Sequence, residues 1–127
     1  NENKNIFPNG VNVSFVKCMD DATLFVATYE RGVGLTNACG TAMIASCITV
    51  IQLGLSSYNT WITVKNKGGF VKIAIDKSLG AKMIGNATYI LEAIIEFDEE
   101  TLDIYTLIEV TQNKKELEAY EQLLLKL

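Results

Sequence analysis

The segment from Tyr29 to Leu55 reads YERGVGLTNACGTAMIASCITVIQLGL and contains the longest apolar stretch of the chain. That stretch begins near Ala42, and single polar residues such as Ser46 and Thr49 interrupt it. It is too short and too mixed to span a membrane, and it is typical of a buried helix. Because apolar residues cover nearly every side of this helix, we expect other elements to enclose it on all sides.

Segments on both sides of this helix have the composition of β-strands. Some alternate apolar and polar residues, and others are rich in β-branched and aromatic residues. We predict six strands, at residues 11–15, 23–30, 60–65, 70–75, 88–97 and 103–110. Gly68 and Gly69 lie in the turn between the third and the fourth of these strands. The pattern predicts the α+β class, with a mixed or antiparallel sheet wrapped around a central hydrophobic helix.

The C-terminal segment has a different pattern. Asn113 followed by Glu116 is typical of a helix start. Apolar residues then recur at helical spacing, at Leu117, Tyr120, Leu124 and Leu127. We therefore predict an amphipathic C-terminal helix that packs on the rest of the domain or on a partner.

The composition is that of a soluble globular domain. Of the 127 residues, 49% are hydrophobic and 20% are charged, which fits neither a disordered nor a fibrous chain. The formal net charge is −4, and no basic stripe with interleaved aromatic residues is present. We therefore expect no nucleic-acid partner and no membrane partner.

The three cysteines, Cys18, Cys39 and Cys47, have no CxxC spacing, and the chain has no histidine. We therefore expect neither a structural zinc site nor a disulfide framework, and reduced thiols fit a cytoplasmic protein. Cys47 lies in the apolar helix and is predicted to be a core residue. Cys18, at the end of a strand, is predicted to lie in the core or at an edge.

Cys39 lies where the glycine-rich turn joins the helix. We expect the helix to begin between Asn37 and Gly40, with Thr36 or Asn37 as the N-cap. The first N–H groups of a helix have no partner within it, and the helix dipole places partial positive charge there. The N–H groups of Gly40 and Thr41 could therefore bind a carboxylate, and the same field favours a thiolate at Cys39.

Two interpretations of Cys39 follow from spacing alone. Without a histidine, no Cys–His dyad forms within this chain, so a thiolate would have to act as a base in its own right. Alternatively, Cys39 is a small buried apolar residue, as free cysteines usually are, and spacing alone favours this second interpretation. Glu30 and Arg31, just before the turn, are either solvated loop residues or partners for the ammonium and the carboxylate of a zwitterion.

The string ERGVGLTNACGTA, residues 30–42, resembles the second cysteine motif of the diaminopimelate epimerase family. FPNGVNVSFV, residues 7–16, resembles the strand of that family that carries a substrate-binding asparagine, here Asn12. TVKNKGGFVKI is similar to the glycine hairpin of the family, and MIGNATYILEA to an element near its C-terminus. The resemblance implies that residues 1–97 are part of the C-terminal lobe of the family fold and that residues 98–127 are a strand-and-helix extension.

The resemblance also implies a reaction. Members interconvert LL-diaminopimelate and meso-diaminopimelate, a step of lysine and peptidoglycan synthesis, with two cysteine bases and no cofactor. Cys39 matches the second of these cysteines, and the N–H groups that follow it match the donors to the substrate carboxylate. By the same match, the residues that bind this small amino-acid substrate are Asn12, Glu30, Arg31, Gly40 and Thr41.

The family is built from two pseudo-symmetric halves with one catalytic cysteine each, and only the second motif is present here. We therefore expect a C-terminal fragment that is inactive without the missing N-terminal half, and whose parent protein could form a homodimer. Two alternatives stay open. One is a related cofactor-independent amino-acid racemase, such as a histidine racemase, and the other is a non-catalytic fragment that serves as an assembly module.

Overall fold

The structure, a computed structural model, describes residues 3–101 and 103–126. These residues form eight strands and two helices. The strands are β1 Val13–Asp20, β2 Thr23–Glu30, β3 Gly34–Thr36, β4 Ile62–Asn66, β5 Gly69–Ile75, β6 Ala81–Gly85, β7 Leu91–Phe97 and β8 Ile104–Gln112. The helices are α1 Gly40–Gln52 and α2 Lys114–Leu124. All six predicted strands are present. The strand at residues 23–30 has the predicted ends, the other five have shifted ends, and β3 and β6 are additional.

The described residues fall into two compact units, 3–86 and 87–126. The division follows Asn86. The boundary after residue 97, which rests on the family resemblance, stays a prediction. In the structure β7 and β8, on either side of that boundary, pair with each other as an antiparallel hairpin.

The first unit contains a mixed sheet with the strand order β1-β2-β4-β5-β6, and β3 pairs with β2 beside this path. Neighbouring strands are antiparallel except β2 and β4, which run parallel with Leu24 opposite Val64. Parallel neighbours require a long crossover, and α1 lies in the connection from β2 to β4. The predicted α+β class with a mixed sheet is confirmed.

The core lies between α1 and one face of this sheet. The buried side of α1 consists of Met43, Ser46, Cys47, Val50 and Ile51. The sheet residues buried in the same cluster are Leu24, Val26, Ile62, Val64, Ile73 and Ile75. Buried residues alternate along β4 and along β2 as far as Thr28, as expected for strands with one face toward a core.

The opposite side of α1 is exposed in the described residues, at Thr41, Ala45 and Thr49. The expectation that other elements enclose this helix on all sides is therefore not met in the part of the chain that the structure describes. The residues on the exposed side are small or polar, whereas those on the buried side include Met43 and Ile51. One apolar side is enough to hold the helix on the sheet.

Cys47 is fully buried in this core, as predicted, and burial raises the pKa of its thiol to about 11. Cys18 lies in β1 at the edge of the sheet and is exposed. The sequence allowed core or edge for Cys18, and the edge position is the one observed. Other β1 residues are exposed too, including Phe15 at 66%.

In the second unit, β7 and β8 form the hairpin and α2 follows directly. Asn113 is the N-cap of α2, and its side-chain oxygen accepts a hydrogen bond from the Glu116 N–H at 3.3 Å. The predicted helix start is therefore confirmed. Leu117, Tyr120 and Leu124 are half-buried, and the predicted contact of Leu127 lies outside the described residues. Neither helix is long and apolar enough to cross a membrane, as far as the described residues go.

Candidate functional site

Cys39 is itself the N-cap of α1. Its backbone is extended, with φ −140° and ψ 105°, and its carbonyl oxygen accepts the first helical hydrogen bond from the Met43 N–H at 3.0 Å. The sequence placed the cap at Thr36 or Asn37, and that prediction is wrong by two to three residues. The Cys39 side chain makes no capping hydrogen bond to the helix.

The first turn of α1 is suited to hold an anion. Its leading N–H groups, those of Gly40 and Thr41, have no acceptor within the helix because no turn precedes them. The helix dipole adds partial positive charge at this end, and the first turn carries no acidic residue that would offset it. The N-terminal end of α1 therefore combines free N–H donors with a positive potential that no acidic side chain of the first turn offsets.

The sulfur of Cys39 lies beside these donors. It is 3.5 Å from the Thr41 hydroxyl oxygen, which is hydrogen-bond range for sulfur. Cys39 is half-buried and Thr41 is exposed. A hydroxyl at this distance is able to donate to a thiolate and to accept from a thiol.

The Glu30 carboxylate is held by Thr36, which the sequence predicted as a candidate N-cap of α1. The Thr36 hydroxyl donates a hydrogen bond of 2.6 Å to a Glu30 carboxylate oxygen. The contact arises because β2 and β3 form a tight hairpin in which Glu30 pairs with Gly34, and Gly34 has a φ of +96° that side chains rarely adopt. Thr36 therefore orients Glu30 and does not cap the helix.

Asn12 directly precedes β1 and Arg31 directly follows β2, so the pairing of these two strands brings them together. The Asn12 side-chain oxygen accepts the backbone N–H of Arg31 at 2.9 Å. This bond turns the oxygen end of the amide toward Arg31 and the NH₂ end away from it. The Arg31 guanidinium donates to the carbonyl oxygen of Asn9 at 2.9 Å, which uses one of its five N–H groups.

The two groups of candidate residues are linked by a short stretch of chain. Thr36, which contacts Glu30, precedes Cys39 by three residues. An extended chain covers at most about 3.6 Å per residue, so the Cα atoms of Thr36 and Cys39 lie within roughly 11 Å of each other. The motif thus places the charged residues at one end of a short segment and the sulfur at the other. We call Asn12, Glu30, Arg31, Thr36, Cys39 and Thr41 together the cluster.

A cleft of about 790 Å³ opens beside Arg31. Phe7, Tyr29 and Val33 contribute apolar surface to its walls. Cys39 and Glu30 are not among the lining residues, so this cleft adjoins only the Arg31 end of the cluster. Among the described residues, no group of three His, Cys, Asp or Glu side chains is placed to hold a metal ion.

The diaminopimelate epimerase family model matches residues 1–90, which is 90 of the 127 residues of the chain. The match includes the whole of the cluster just described. The chain belongs to this family. The resemblance inferred from the ERGVGLTNACGTA string is therefore confirmed.

Several curated members of the family are similar to this chain. The diaminopimelate epimerase of Clostridium acetobutylicum is 40% identical over 126 residues, which covers 96% of this chain and 38% of the relative. That of Lactiplantibacillus plantarum is 41% identical over 128 residues, with 95% and 38% covered. That of Enterococcus faecalis is 51% identical over 92 residues, with 69% and 28% covered.

The relatives cover most of this chain, but the chain covers only a part of each relative. The chain spans less than two-fifths of the length of the family members it matches. The first two relatives match so much of the chain that their similarity extends into residues 98–127, beyond the part that the family model matches. The C-terminal segment is therefore shared with some members of the family.

Proposed function

We propose that this chain forms part of a diaminopimelate epimerase and supplies one of its two cysteine bases, Cys39. The observation that carries the proposal is the position of Cys39 as the N-cap of α1, beside a first turn with N–H donors and no acid. Family membership supplies the reaction class. The substrate is LL-diaminopimelate and the product is the meso form, without pyridoxal phosphate or another cofactor.

The proposed step is a proton exchange at one carbon. The thiolate of one cysteine takes the α-proton, so the C–H bond breaks and an S–H bond forms. The electron pair left on the α-carbon delocalises into the adjoining carboxylate. A thiol on the opposite face then gives its proton to the carbon and becomes a thiolate, which inverts the configuration and leaves the number of protons unchanged.

The start of α1 has the features needed to stabilise the intermediate. As the α-carbon loses its proton, negative charge accumulates on the carboxylate. Donors that are already oriented toward this charge lower the barrier because they need no reorganisation during the reaction. The N–H groups of Gly40 and Thr41 would take this role, in reach of the sulfur of Cys39.

The charged end of the cluster would bind the other amino-acid group of the substrate. Diaminopimelate carries a second ammonium and a second carboxylate, and Glu30 and Arg31 offer one partner to each. Thr36 fixes the Glu30 carboxylate, and the backbone of Arg31 is tied to Asn12. Asn12 would assist with its NH₂ group.

The complete enzyme needs a second cysteine, and we propose that it comes from the N-terminal half of the same protein. Neither Cys18 nor Cys47 is suited to the task, since Cys18 lies on the edge strand β1 and Cys47 is fully buried. The chain alone is then expected to be inactive. Under this proposal the enzyme serves lysine and peptidoglycan synthesis in the cytoplasm, as a homodimer or a monomer, with residues 98–127 as an extension of its lobe.

The test is exchange of the α-proton of diaminopimelate with solvent deuterium, in a complete protein that carries this chain. We expect Cys39→Ala to slow exchange by roughly 100- to 10,000-fold, the usual contribution of a general base. Cys18→Ala is the matched control, because it removes an exposed thiol of the same chain, and it should leave the rate unchanged. Exchange at the original rate in Cys39→Ala would refute the proposal.

Substitution of Arg31 distinguishes a diaminopimelate epimerase from a related racemase that acts on another amino acid. Under our proposal Arg31→Ala weakens binding of diaminopimelate by roughly tenfold or more, because a charge-assisted hydrogen bond to the distal carboxylate is lost. An enzyme that leaves diaminopimelate unchanged but racemises a monocarboxylic amino acid, such as histidine, would favour the related racemase.

A further inference from the structure

The turn between β4 and β5 lies against the segment that leads into α1. Asn66 is the last residue of β4, and only 4% of its surface is exposed. A buried amide requires hydrogen-bond partners at both of its ends, and in the described residues no buried side-chain nitrogen or oxygen lacks one. The two ends of this amide lead to segments on both sides of Cys39, indirectly through the Gly68 N–H to Asn37 and directly to Met43.

The oxygen end of the Asn66 amide holds the turn. It accepts the Gly68 N–H at 2.8 Å, and the same N–H also donates to the carbonyl oxygen of Asn37 at 3.0 Å. The donor character of this N–H fixes which end of the amide is the oxygen. Through this shared donor, Asn66 is connected to the residue two positions before Cys39.

The nitrogen end of the amide holds the first turn of the helix. It lies 3.0 Å from the sulfur of Met43. Met43 is buried, and its backbone N–H makes the first helical bond to the carbonyl of Cys39. One amide thus connects the approach to Cys39 with the turn that follows it.

Gly68 fits this arrangement sterically. A Cβ atom at position 68 would lie 3.2 Å from the carbonyl oxygen and 3.3 Å from the Cβ of Asn37. Both distances are shorter than ordinary van der Waals contact, so a side chain at 68 would displace the segment before Cys39. The backbone of the turn and the backbone of that segment are in direct contact because position 68 is glycine.

We infer that Asn66 and Gly68 are positioning residues that fix the start of α1 and thereby the place of Cys39. Neither residue is among those proposed to bind the substrate. Their importance for catalysis rests on the proposed function of Cys39, whereas their hold on the helix start does not. Both residues lie outside the cysteine motif of residues 30–42, in the segment TVKNKGGFVKI that resembles the glycine hairpin of the family.

The first test is site-resolved amide hydrogen exchange in the 127-residue chain with Asn66→Leu. Leucine has nearly the shape of asparagine but neither polar atom. We expect the Met43 amide to exchange roughly fivefold faster relative to the Ile51 amide, which lies two turns further along the same helix. A merely structural loss would accelerate both amides by the same factor, and that result, or no change in either, would overturn the inference.

The reactivity of Cys18 and Cys47 shows whether the Asn66→Leu variant is folded. Iodoacetamide should modify exposed Cys18 and leave buried Cys47 unmodified, as quantified for each peptide by mass spectrometry. If Cys47 becomes reactive, the Asn66 variant is unfolded, and Gly68→Ala decides the question. The expected result there is the same selective acceleration at Met43.

Gly85→Ala is the matched control for Gly68→Ala. A Cβ at position 85 would meet the Val71 side chain at 3.3 Å, an equally tight contact on the β5–β6 pair of strands. This variant should leave the ratio of Met43 to Ile51 exchange unchanged. Equal ratios in the two alanine variants would contradict the positioning role. These measurements use no substrate. Their outcome therefore stands even if the Cys39→Ala test refutes the proposed function.

Discussion

The two helices of this chain begin in opposite ways. In α2 the N-cap Asn113 binds the Glu116 N–H with its own side chain, and Glu116 places a negative charge in the first turn. In α1 the N-cap Cys39 makes no such bond, and the first turn carries no acid. A helix start that serves stability alone satisfies its donors and its dipole locally. The start of α1 leaves both without a local partner, as the proposed binding of a carboxylate requires.

The largest effect is expected when the cap of α2 is transferred to α1 by Cys39→Asn. The asparagine should cap the helix and raise the free energy of unfolding by about 0.5–1 kcal/mol. In a complete protein the same change should slow α-proton exchange by roughly 100- to 10,000-fold, because the base is gone. Urea unfolding and deuterium exchange measure the two effects. If the Cys39→Asn variant gains no stability, or keeps its exchange rate, the contrast drawn between the two helix starts is wrong.

The next effect concerns the charge in the first turn. Ala42 of α1 and Glu116 of α2 occupy the same position, the third residue of each helix. Ala42→Glu should stabilise α1 by about 0.3–1 kcal/mol through the dipole. The same charge should raise the KM for diaminopimelate roughly tenfold in a complete protein, because it repels the carboxylate. Ala45→Glu, one turn further on the exposed side of the helix, is the control and should change KM less.

Removal of the N-cap of α2 is expected to lower stability and to leave catalysis unchanged, in contrast to the changes at the start of α1. Asn113→Ala should cost α2 about 1 kcal/mol and accelerate exchange of the Leu117 amide, which bonds to the Asn113 carbonyl, without affecting the amides of α1. Catalysis in a complete protein should not change. Loss of activity in this variant would show that α2 does more than stabilise the chain.

A smaller effect concerns Cys47, the buried thiol of α1. Burial raises the pKa of Cys47 from its ordinary 9.0 to about 11, so the folded state favours the neutral thiol. Stability from this source is complete below pH 9 and is lost as the pH rises toward 11, because only the unfolded chain ionises there. We expect a loss on the order of 1 kcal/mol over this range in urea unfolding. Cys47→Ala should remove this part of the pH dependence, whereas Cys39→Ala should retain it.

The sequence was sufficient for the features that depend on local pattern. The apolar run predicted α1, Asn113 and Glu116 predicted the start of α2, and Cys47 was correctly placed in the core. The cap at Cys39 was missed because Thr36 is a better cap by composition, and only the β2–β3 register shows that its hydroxyl is bound to Glu30.

Contacts between distant segments were beyond the sequence. Asn66 reads as an ordinary polar residue at the end of a strand, and nothing in its neighbourhood indicates that the turn meets Asn37, 29 positions earlier in the chain. The exposed side of α1 was missed for a related reason. Composition showed how apolar the helix is, but the number of sides that a sheet covers is set by strand order and closure.

The central claim is that the bare start of α1 binds the substrate carboxylate beside Cys39. It is tested most directly by titrating a complete, isotope-labelled protein with diaminopimelate while the backbone amide signals are followed by NMR. We predict that the Gly40 and Thr41 amides show the largest shifts in α1 and saturate together with binding, while the amides at the start of α2 stay in place. Saturable binding that leaves the Gly40 and Thr41 signals unmoved would contradict the account.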